Sequence, residues 1–443
     1  MHSRDRTLCV VGAGYVGLAT AVGFATLGYC VDVYERDPGR RDKLRSGEPP
    51  VEEPGVRPLL SEALAEGRLR VIRGLEETLA EIVFVCVATP IDDAGQSDLG
   101  QVQAALGELA ASARHAPTIV IRSTLPVGAG RRLAASGELD PARTFTNPEF
   151  LRQGSALQDF LHPSRIVIGR FPESAEVRLQ GVVEVFAQIE APRFVVDVTA
   201  SELIKNAANA FLALRLSFVN ELALLAEESG CDIGAVLPAI AADPRIGSAY
   251  LQPGFGFGGS CLPKELRTLT LAGWQRHLPM NVAAAASEAN AIHRERFAMR
   301  LERLLGGVRE RRIGLLGLAF KAGTDDVRES PALWLAARLL AAGARVCGYD
   351  PLAGPNAKRA LPALEIASTI EDALSGADAA VIATELAELR TYDWTRARDL
   401  LRSPLVVDGR RLLDPHEVRR SGLRYVAVGS PDGSAAMGVA DGP

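Results

Sequence analysis

The sequence predicts an α/β chain with two open, doubly wound sheets and a long helix between them. Three observations carry this reading. Strand-like apolar runs alternate with helical runs at both ends of the chain. The N-terminal set holds Gly12-Ala13-Gly14-Tyr15-Val16-Gly17 between a strand and a helix. A helical stretch of unusual length, 199–229, separates the two sets.

Composition bounds the function classes. The chain has 443 residues, enough for two or three domains. Hydrophobic residues make up 47% and charged residues 23%, as in ordinary globular proteins. A net charge of -5 and the lack of a basic arm give no reason to expect a nucleic-acid partner. The polar start lacks a signal-peptide pattern, and no apolar run reads as a bilayer span, so no membrane partner is expected. Six scattered cysteines form no C-x-x-C pair, and the six histidines do not cluster. Neither a dithiol motif nor a zinc or other metal site is expected, and the cysteine usage fits a reducing cytoplasm. Cys9, Cys86 and Cys347 lie in strand-like runs and read as buried.

In chain order, Thr7–Val11 is a strand, 18–27 a helix stopped by Gly28, and Cys30–Tyr34 a second strand ending at Glu35. That is the strand–turn–helix–strand context of a dinucleotide site. Backbone N–H groups of Gly12, Gly14, Tyr15, Val16 and Gly17 would face a pyrophosphate at the helix N-terminus. Glu35 would accept the ribose hydroxyls and repel a 2′-phosphate, which favours NAD over NADP. Arg36 and Arg40 nearby pull the other way. Strands follow at 82–87 and 118–121. Thr89 and Thr124 lie just beyond them, facing a cofactor or capping the next turn. Glu149 follows another strand, as a candidate acid/base or a surface acid. Strands at 163–169 and 195–198 close this part.

Thr199-Ala200-Ser201-Glu202 reads as a capping box that starts the long helix, and Gly230 ends it. Lys205 and Asn209, four apart, share a face of it, either as partly buried ligands or as the edge of a solvated face. A shorter helix covers 232–242. The stretch Gly254–Glu265 then reads Gly-Phe-Gly-Phe-Gly-Gly-Ser-Cys-Leu-Pro-Lys-Glu. Pro263 suits the first turn of a helix, which puts Cys261 beside a helix N-terminus and a lysine; both favour thiolate. An inert cysteine in a flexible glycine loop is the bland alternative. A second long helix covers 281–305. Strands at 312–320, 346–350, 379–384 and 405–408, with a helix to about 342, form the second α/β set. The Gly/Ala/Asp-rich tail, 430–443, reads as disordered. The domain limits expected are 1–198, 199–305, 306–429 and the tail 430–443.

Together these motifs resemble the UDP-glucose/GDP-mannose 6-dehydrogenase family. The resemblance runs from about residue 7 to 428 through VVGAGYVGL, CVATP, RSTLPVG, NPEFLRQGSA, HPSRIVIG, ELIKNAANAFLALRLSFVNE, RIGSAYLQPGFGFGGSCLPKE and GLAFKAGTDDVRESPA. PSRIVIG and KNAANAF look most like the UDP-glucose branch. The resemblance implies two Rossmann-like domains joined by a long central helix that forms a homodimer core. NAD would bind the first domain and a UDP-sugar the second. It further implies a four-electron oxidation of UDP-glucose at C6. Cys261 would carry the substrate as thiohemiacetal and then thioester, which water cleaves. GDP-mannose or a UDP-N-acetylhexosamine is the alternative substrate, and a silent nucleotide-sugar binder the alternative class.

By the same resemblance, Lys205 and Asn209 stabilise an oxyanion, while Thr124 and Glu149 handle a water. Glu149, Phe150, Leu151, Arg152, Tyr250, Leu251, Gln252, Pro253, Gly254, Gly258 and Lys321 would contact substrate. Arg245 would reach it from a partner subunit. Glu35, Arg40, Thr89, Gln153, Lys264 and Arg328 would contact NAD. Three departures stand out. Glu265 replaces the usual Asp after the Cys-loop lysine, where a carboxylate helps hold the water. Gln153 stands where Glu is common, and Asn206 where Tyr is frequent.

Overall fold

The structure, a computed structural model, describes residues 6–92, 95–112 and 115–431. The chain divides into two compact units, one running to Ala208 together with Leu271–Leu278, the other comprising Asn209–Thr270 and the chain from Pro279 on.

The first unit is built in order from β1 (Thr7–Val11), α1 (Tyr15–Thr26), β2 (Cys30–Tyr34), α2 (Pro38–Arg45), α3 (Val56–Ala65), β3 (Leu69–Ile72), β4 (Ile82–Val85), α4 (Gly100–Ser112), β5 (Thr118–Ile121), α5 (Ala129–Ala135), β6 (Thr144–Thr146), α6 (Ala156–Leu161), β7 (Ile166–Arg170), α7 (Glu176–Glu184) and β8 (Arg193–Asp197). Its sheet has the order β3-β2-β1-β4-β5-β6-β7-β8. Pairing is parallel except between β6 and β7. β7 therefore starts at the edge where β1–β6 end. The Val/Ile-rich strands β4 and β5 are buried along their length, as expected of strands covered on both faces. The short edge strand β3 escapes sequence reading because Arg70 interrupts its apolar run. Its guanidinium pairs with the buried Asp32 on β2 at 2.8 Å.

α8 (Val198–Ser229) leads from the first unit into the second. Then come α9 (Ile233–Ala241), α10 (Leu262–Trp274), α11 (Asn281–Leu305), β9 (Arg312–Leu316), α12 (Pro331–Ala341), β10 (Arg345–Tyr349), β11 (Glu365–Ile366), β12 (Ala379–Ile382), β13 (Leu405–Asp408) and β14 (Arg424–Ala427). The second sheet is parallel throughout, with the order β11-β10-β9-β12-β13-β14. This is the strand order of the first six strands of the other sheet, so the expected fold is observed: two parallel-sheet α/β domains and a long helix. The likeness extends to detail. Gly12 donates its N–H to Tyr34 at the end of β2, and Gly317 donates to Tyr349 at the end of β10. The acid that follows each of those strands, Glu35 or Asp350, accepts backbone N–H groups from the opposite turn.

Two sequence expectations are corrected. The capping box does not form, because Asp197 accepts the Thr199 N–H at 2.9 Å while Glu202 turns to another helix. α8 is also long and apolar enough to cross a membrane by length and composition, contrary to the reading that no run is. Ser201, Glu202, Lys205, Asn206, Ser217 and Asn220 are buried along it, and 33% of its apolar window is buried against the rest of the chain. In the expected tail, the Ser430 hydroxyl donates to the Ala427 carbonyl at 2.8 Å. Residues 432–443 lie outside the described ones.

Candidate active site

The first unit presents the dinucleotide turn. Gly12 has φ +92, which an L side chain rarely adopts. A Cβ on Gly14 would meet nothing within 4 Å, and one on Gly17 would lie 1.8 Å from the Gly12 carbonyl oxygen. The first glycine thus makes the turn, the second leaves open space before the helix, and the third lets α1 pack on β1. This cradle fits a pyrophosphate. Tyr15 and Val16 open α1. Glu35 is buried and accepts the Ala13 N–H at 2.8 Å and the Asp37 N–H at 2.9 Å. Arg40 is exposed on α2.

At the carboxyl edge of the same sheet, the Thr89 hydroxyl donates to the Thr124 carbonyl at 3.0 Å. After β6, Glu149 is buried with its Oε1 3.0 Å from Lys205 Nζ, and Lys205 is equally buried. Burial pushes the Glu149 carboxyl up. Lys205, the Leu151 N–H at 2.6 Å and Arg122 outweigh it and hold the group below the usual range. A carboxylate so held is a weak base at neutral pH. In this arrangement Glu149 anchors Lys205. Phe150 lies beside the pair, with the Lys205 ammonium 5.5 Å from its ring and the Arg165 guanidinium stacked at 3.7 Å. Sequence reading missed Arg165; its place at the start of β7, antiparallel to β6, puts it at this edge. Leu151 and Gln153 are half-buried, while Arg152 is exposed and spends its guanidinium on Asp159 at 2.7 Å.

The second unit carries the cysteine. Cys261 is exposed and directly precedes α10. Its carbonyl accepts the Glu265 N–H at 2.8 Å, the first bond of the helix, so Cys261 is the N-cap and Pro263 sits in the first turn as expected. Positive helix-end charge and Arg328, within electrostatic reach, both favour the thiolate. Lys264 is half-buried. Glu265 is 1% exposed, and its Oε2 accepts the side-chain amide of Asn209. The expected Arg328 side chain is held by Asp326 at 2.6 Å. Lys321 is half-buried with its ammonium 5.9 Å from the Phe320 ring.

The loop glycines serve packing more than the sequence suggested. A Cβ on Gly258 would lie 1.9 Å from the Glu329 carbonyl, and one on Gly259 would lie 2.7 Å from the Phe320 ring. Asn220 accepts the Gly254 N–H at 3.0 Å, His293 bonds the Gly254 carbonyl at 2.8 Å, and Arg410 donates to Gly256 at 3.0 Å. These three buried side chains, absent from the sequence reading, pin the loop. Tyr250 takes φ +57; Leu251 and Pro253 are buried and Gln252 is exposed. Arg245 is exposed and pairs with Asp243 at 2.6 Å.

Comparison with known proteins agrees with this architecture. Models of the UDP-glucose/GDP-mannose dehydrogenase family match residues 6–190 (NAD binding domain), 199–292 (central domain) and 314–415 (UDP binding domain). The UDP-glucose 6-dehydrogenase of Rhizobium meliloti is 38% identical over 436 residues, covering 96% of this chain and 100% of that protein. The UDP-glucose 6-dehydrogenase YwqF of Bacillus subtilis is 37% identical, covering 95% of this chain and 97% of that one. A solved UDP-glucose dehydrogenase from Pyrobaculum islandicum superposes with a TM-score of 0.88 at 37% identity, covering 97% of this chain and 99% of that one. A UDP-D-ManNAc dehydrogenase from Pyrococcus horikoshii gives 0.84 at 26% identity, covering 96% and 99%.

A dinucleotide cradle on the first sheet, with NAD-binding and UDP-binding domain models matched in order along the chain, defines an NAD-dependent dehydrogenase with a second, ligand-binding α/β domain. With three domain models matched in order and relatives aligned over nearly their full length, the chain belongs to the UDP-glucose/GDP-mannose dehydrogenase family.

Proposed function

We propose that the protein oxidises the C6 alcohol of UDP-glucose to the carboxylate of UDP-glucuronate in two steps, with Cys261 as covalent carrier. The exposed Cys261 at the N-terminus of α10 is the observation that carries this reading. The identity to UDP-glucose 6-dehydrogenases supports the choice of sugar.

NAD, when bound, supplies the hydride acceptor for each oxidation. The residues do the rest. The cradle at Gly12–Gly17 and Glu35 orients the cofactor, and Thr89 and Thr124 line its approach. Lys205 and Asn209 donate to oxygen as charge builds there. The Cys261 thiolate adds to the C6 aldehyde and forms a C–S bond, and the oxygen takes up a proton. Loss of hydride and that proton gives the thioester. Water then attacks the carbonyl and the thiolate leaves, yielding the acid. Glu265, bridged to Asn209, holds that water. Glu149 contributes by fixing Lys205, and Phe150, Leu151, Lys321 and the 250–258 loop grip the nucleotide sugar. Arg245, released from Asp243, reaches a partner subunit's substrate. Phe211, Phe218 and Leu225 on α8 recur every seventh residue at 60%, 58% and 62% exposure, which supports a homodimer through this helix. A thiol nucleophile suits the cytoplasm.

The test is NADH absorbance with excess NAD and limiting UDP-glucose. Two NADH per sugar is expected. One NADH would remove the thioester half, and none with UDP-glucose but two with GDP-mannose or a UDP-N-acetylhexosamine would reassign the sugar.

A further inference from the structure

The first turns of α8 do more than leave the sheet. Glu202 is 3% exposed, and its two oxygens accept the Gly128 N–H at 2.5 Å and the Gly130 N–H at 2.7 Å. Those groups open α5, whose own N-cap, Gly128, has no side chain to offer. Leading N–H groups of a helix lack internal partners and attract negative charge. Glu202 therefore caps α5 from a different helix. One turn on, the Asn206 amide donates to the Leu125 carbonyl at 3.0 Å and to the Glu202 carbonyl at 2.8 Å. The turn 125–130 is gripped at both ends by one stretch of α8. Leu125 adjoins Thr124, whose carbonyl holds the Thr89 hydroxyl. Between the two gripping residues lies Lys205, bound to Glu149. Ser201 adds a hydroxyl contact to Thr146 at the end of β6.

We propose that Glu202 and Asn206 are positioning residues that hold the Thr124 turn in register with the Lys205–Glu149 pair. One helical turn then sets both the cofactor-facing threonines and the catalytic ammonium. The cofactor half of this statement rests on Thr124 contacting NAD, as read above. It also gives the Asn that stands for the family's frequent Tyr a role: its amide reaches a backbone carbonyl on the turn.

The grip depends on charge. Burial pushes the Glu202 carboxyl up to about 7, against the two N–H donors and Arg132, with Asp197 adding to the rise. The charged groups around it are Arg132 on α5, Asp197 at the end of β8, and Arg276, which donates to the Val127 carbonyl at 3.3 Å. An ionised carboxylate accepts both N–H bonds. Opening the turn to water returns the carboxyl to its ordinary lower range and releases a proton, so the closed turn gains stability as pH falls through about 7.

The experiment compares wild type, Glu202→Gln and Asn206→Leu at pH 6 and pH 8.5. It reads amide hydrogen exchange of the 122–131 segment and the NAD dissociation constant. At pH 8.5, Glu202→Gln is expected to exchange faster and bind NAD more weakly, each by about tenfold. Relative to intrinsic exchange rates, the wild type is expected to be better protected at pH 6 than at pH 8.5, and Glu202→Gln to lack that pH dependence. Asn206→Leu keeps the carboxylate and loosens the 122–126 end at both pH values; it serves if Glu202→Gln does not fold. Unchanged exchange in the variants overturns the proposal. Faster exchange with unchanged NAD affinity overturns its cofactor half. Wild type that fails to bind NAD counts against the dehydrogenase reading, while the exchange data still judge the grip.

Discussion

The side-chain amide of Asn209 donates to the carboxylate of Glu265, 56 residues further along the chain. This contact gives the longer acid a physical role. The extra methylene carries the carboxylate from the first turn of α10 to a residue on α8. Shortening it to the family's usual Asp withdraws the acceptor by about 1 Å, enough to slow a positioned reaction by about tenfold or more. Glu265→Asp is therefore expected to lower kcat, with KM for the nucleotide sugar little changed. A variant as fast as wild type would separate this contact from catalysis.

The Lys205–Glu149 pair makes a prediction about stability. Both side chains are buried, and Lys205→Met would leave a carboxylate with its nearest cation removed. Breaking a buried pair on one side costs about 3–5 kcal/mol, and removing both partners costs much less. Urea unfolding should show Lys205→Met strongly destabilised and Lys205→Met/Glu149→Gln close to wild type, while both lack activity. Equal stability of the single and double variants would mean that Glu149 is held mainly by the Leu151 N–H.

His293 predicts a pH dependence. Burial lowers it from 6.5 to about 4, with the Gly254 carbonyl opposing and Arg410 adding to the fall. The unfolded chain binds this proton near pH 6.5 and the folded one only near 4. Stability is thus complete above about 6.5 and lost as pH falls toward 4, by about 3 kcal/mol in all. His293→Gln should flatten that part of the stability profile measured by denaturant unfolding. A slope unchanged from wild type would assign the acid sensitivity to other groups.

The α8 stripe predicts assembly. Phe218→Glu places a charge at the middle of the exposed series Phe211, Phe218 and Leu225. Sedimentation is expected to show the proposed dimer weakened toward monomer. A variant that stays dimeric at low micromolar concentration would move the interface elsewhere.

Much of this was legible in the sequence because it is governed by short-range rules. Period and turn residues placed β1, β2, α11 and β13 to within a residue or two. The Gly12–Gly17 spacing marked a dinucleotide turn, and Pro263 after Cys261 marked a helix start beside the cysteine. Each depends on residues a few positions apart, whose backbone conformations are coupled directly.

What only the tertiary structure decided concerns partners distant in sequence. Glu202 has the spacing of a capping box, yet it caps α5, because those N–H groups are buried beside it and have no other acceptor. Glu149 has the place of a general base, yet it lies against Lys205 and is held ionised. The glycines of the cysteine loop look like room for a ligand, but several make room for Glu329, Phe320 and Arg410. In each case the sequence supplied a group able to do two things. Packing chose between them, since a buried polar atom takes the partner within reach.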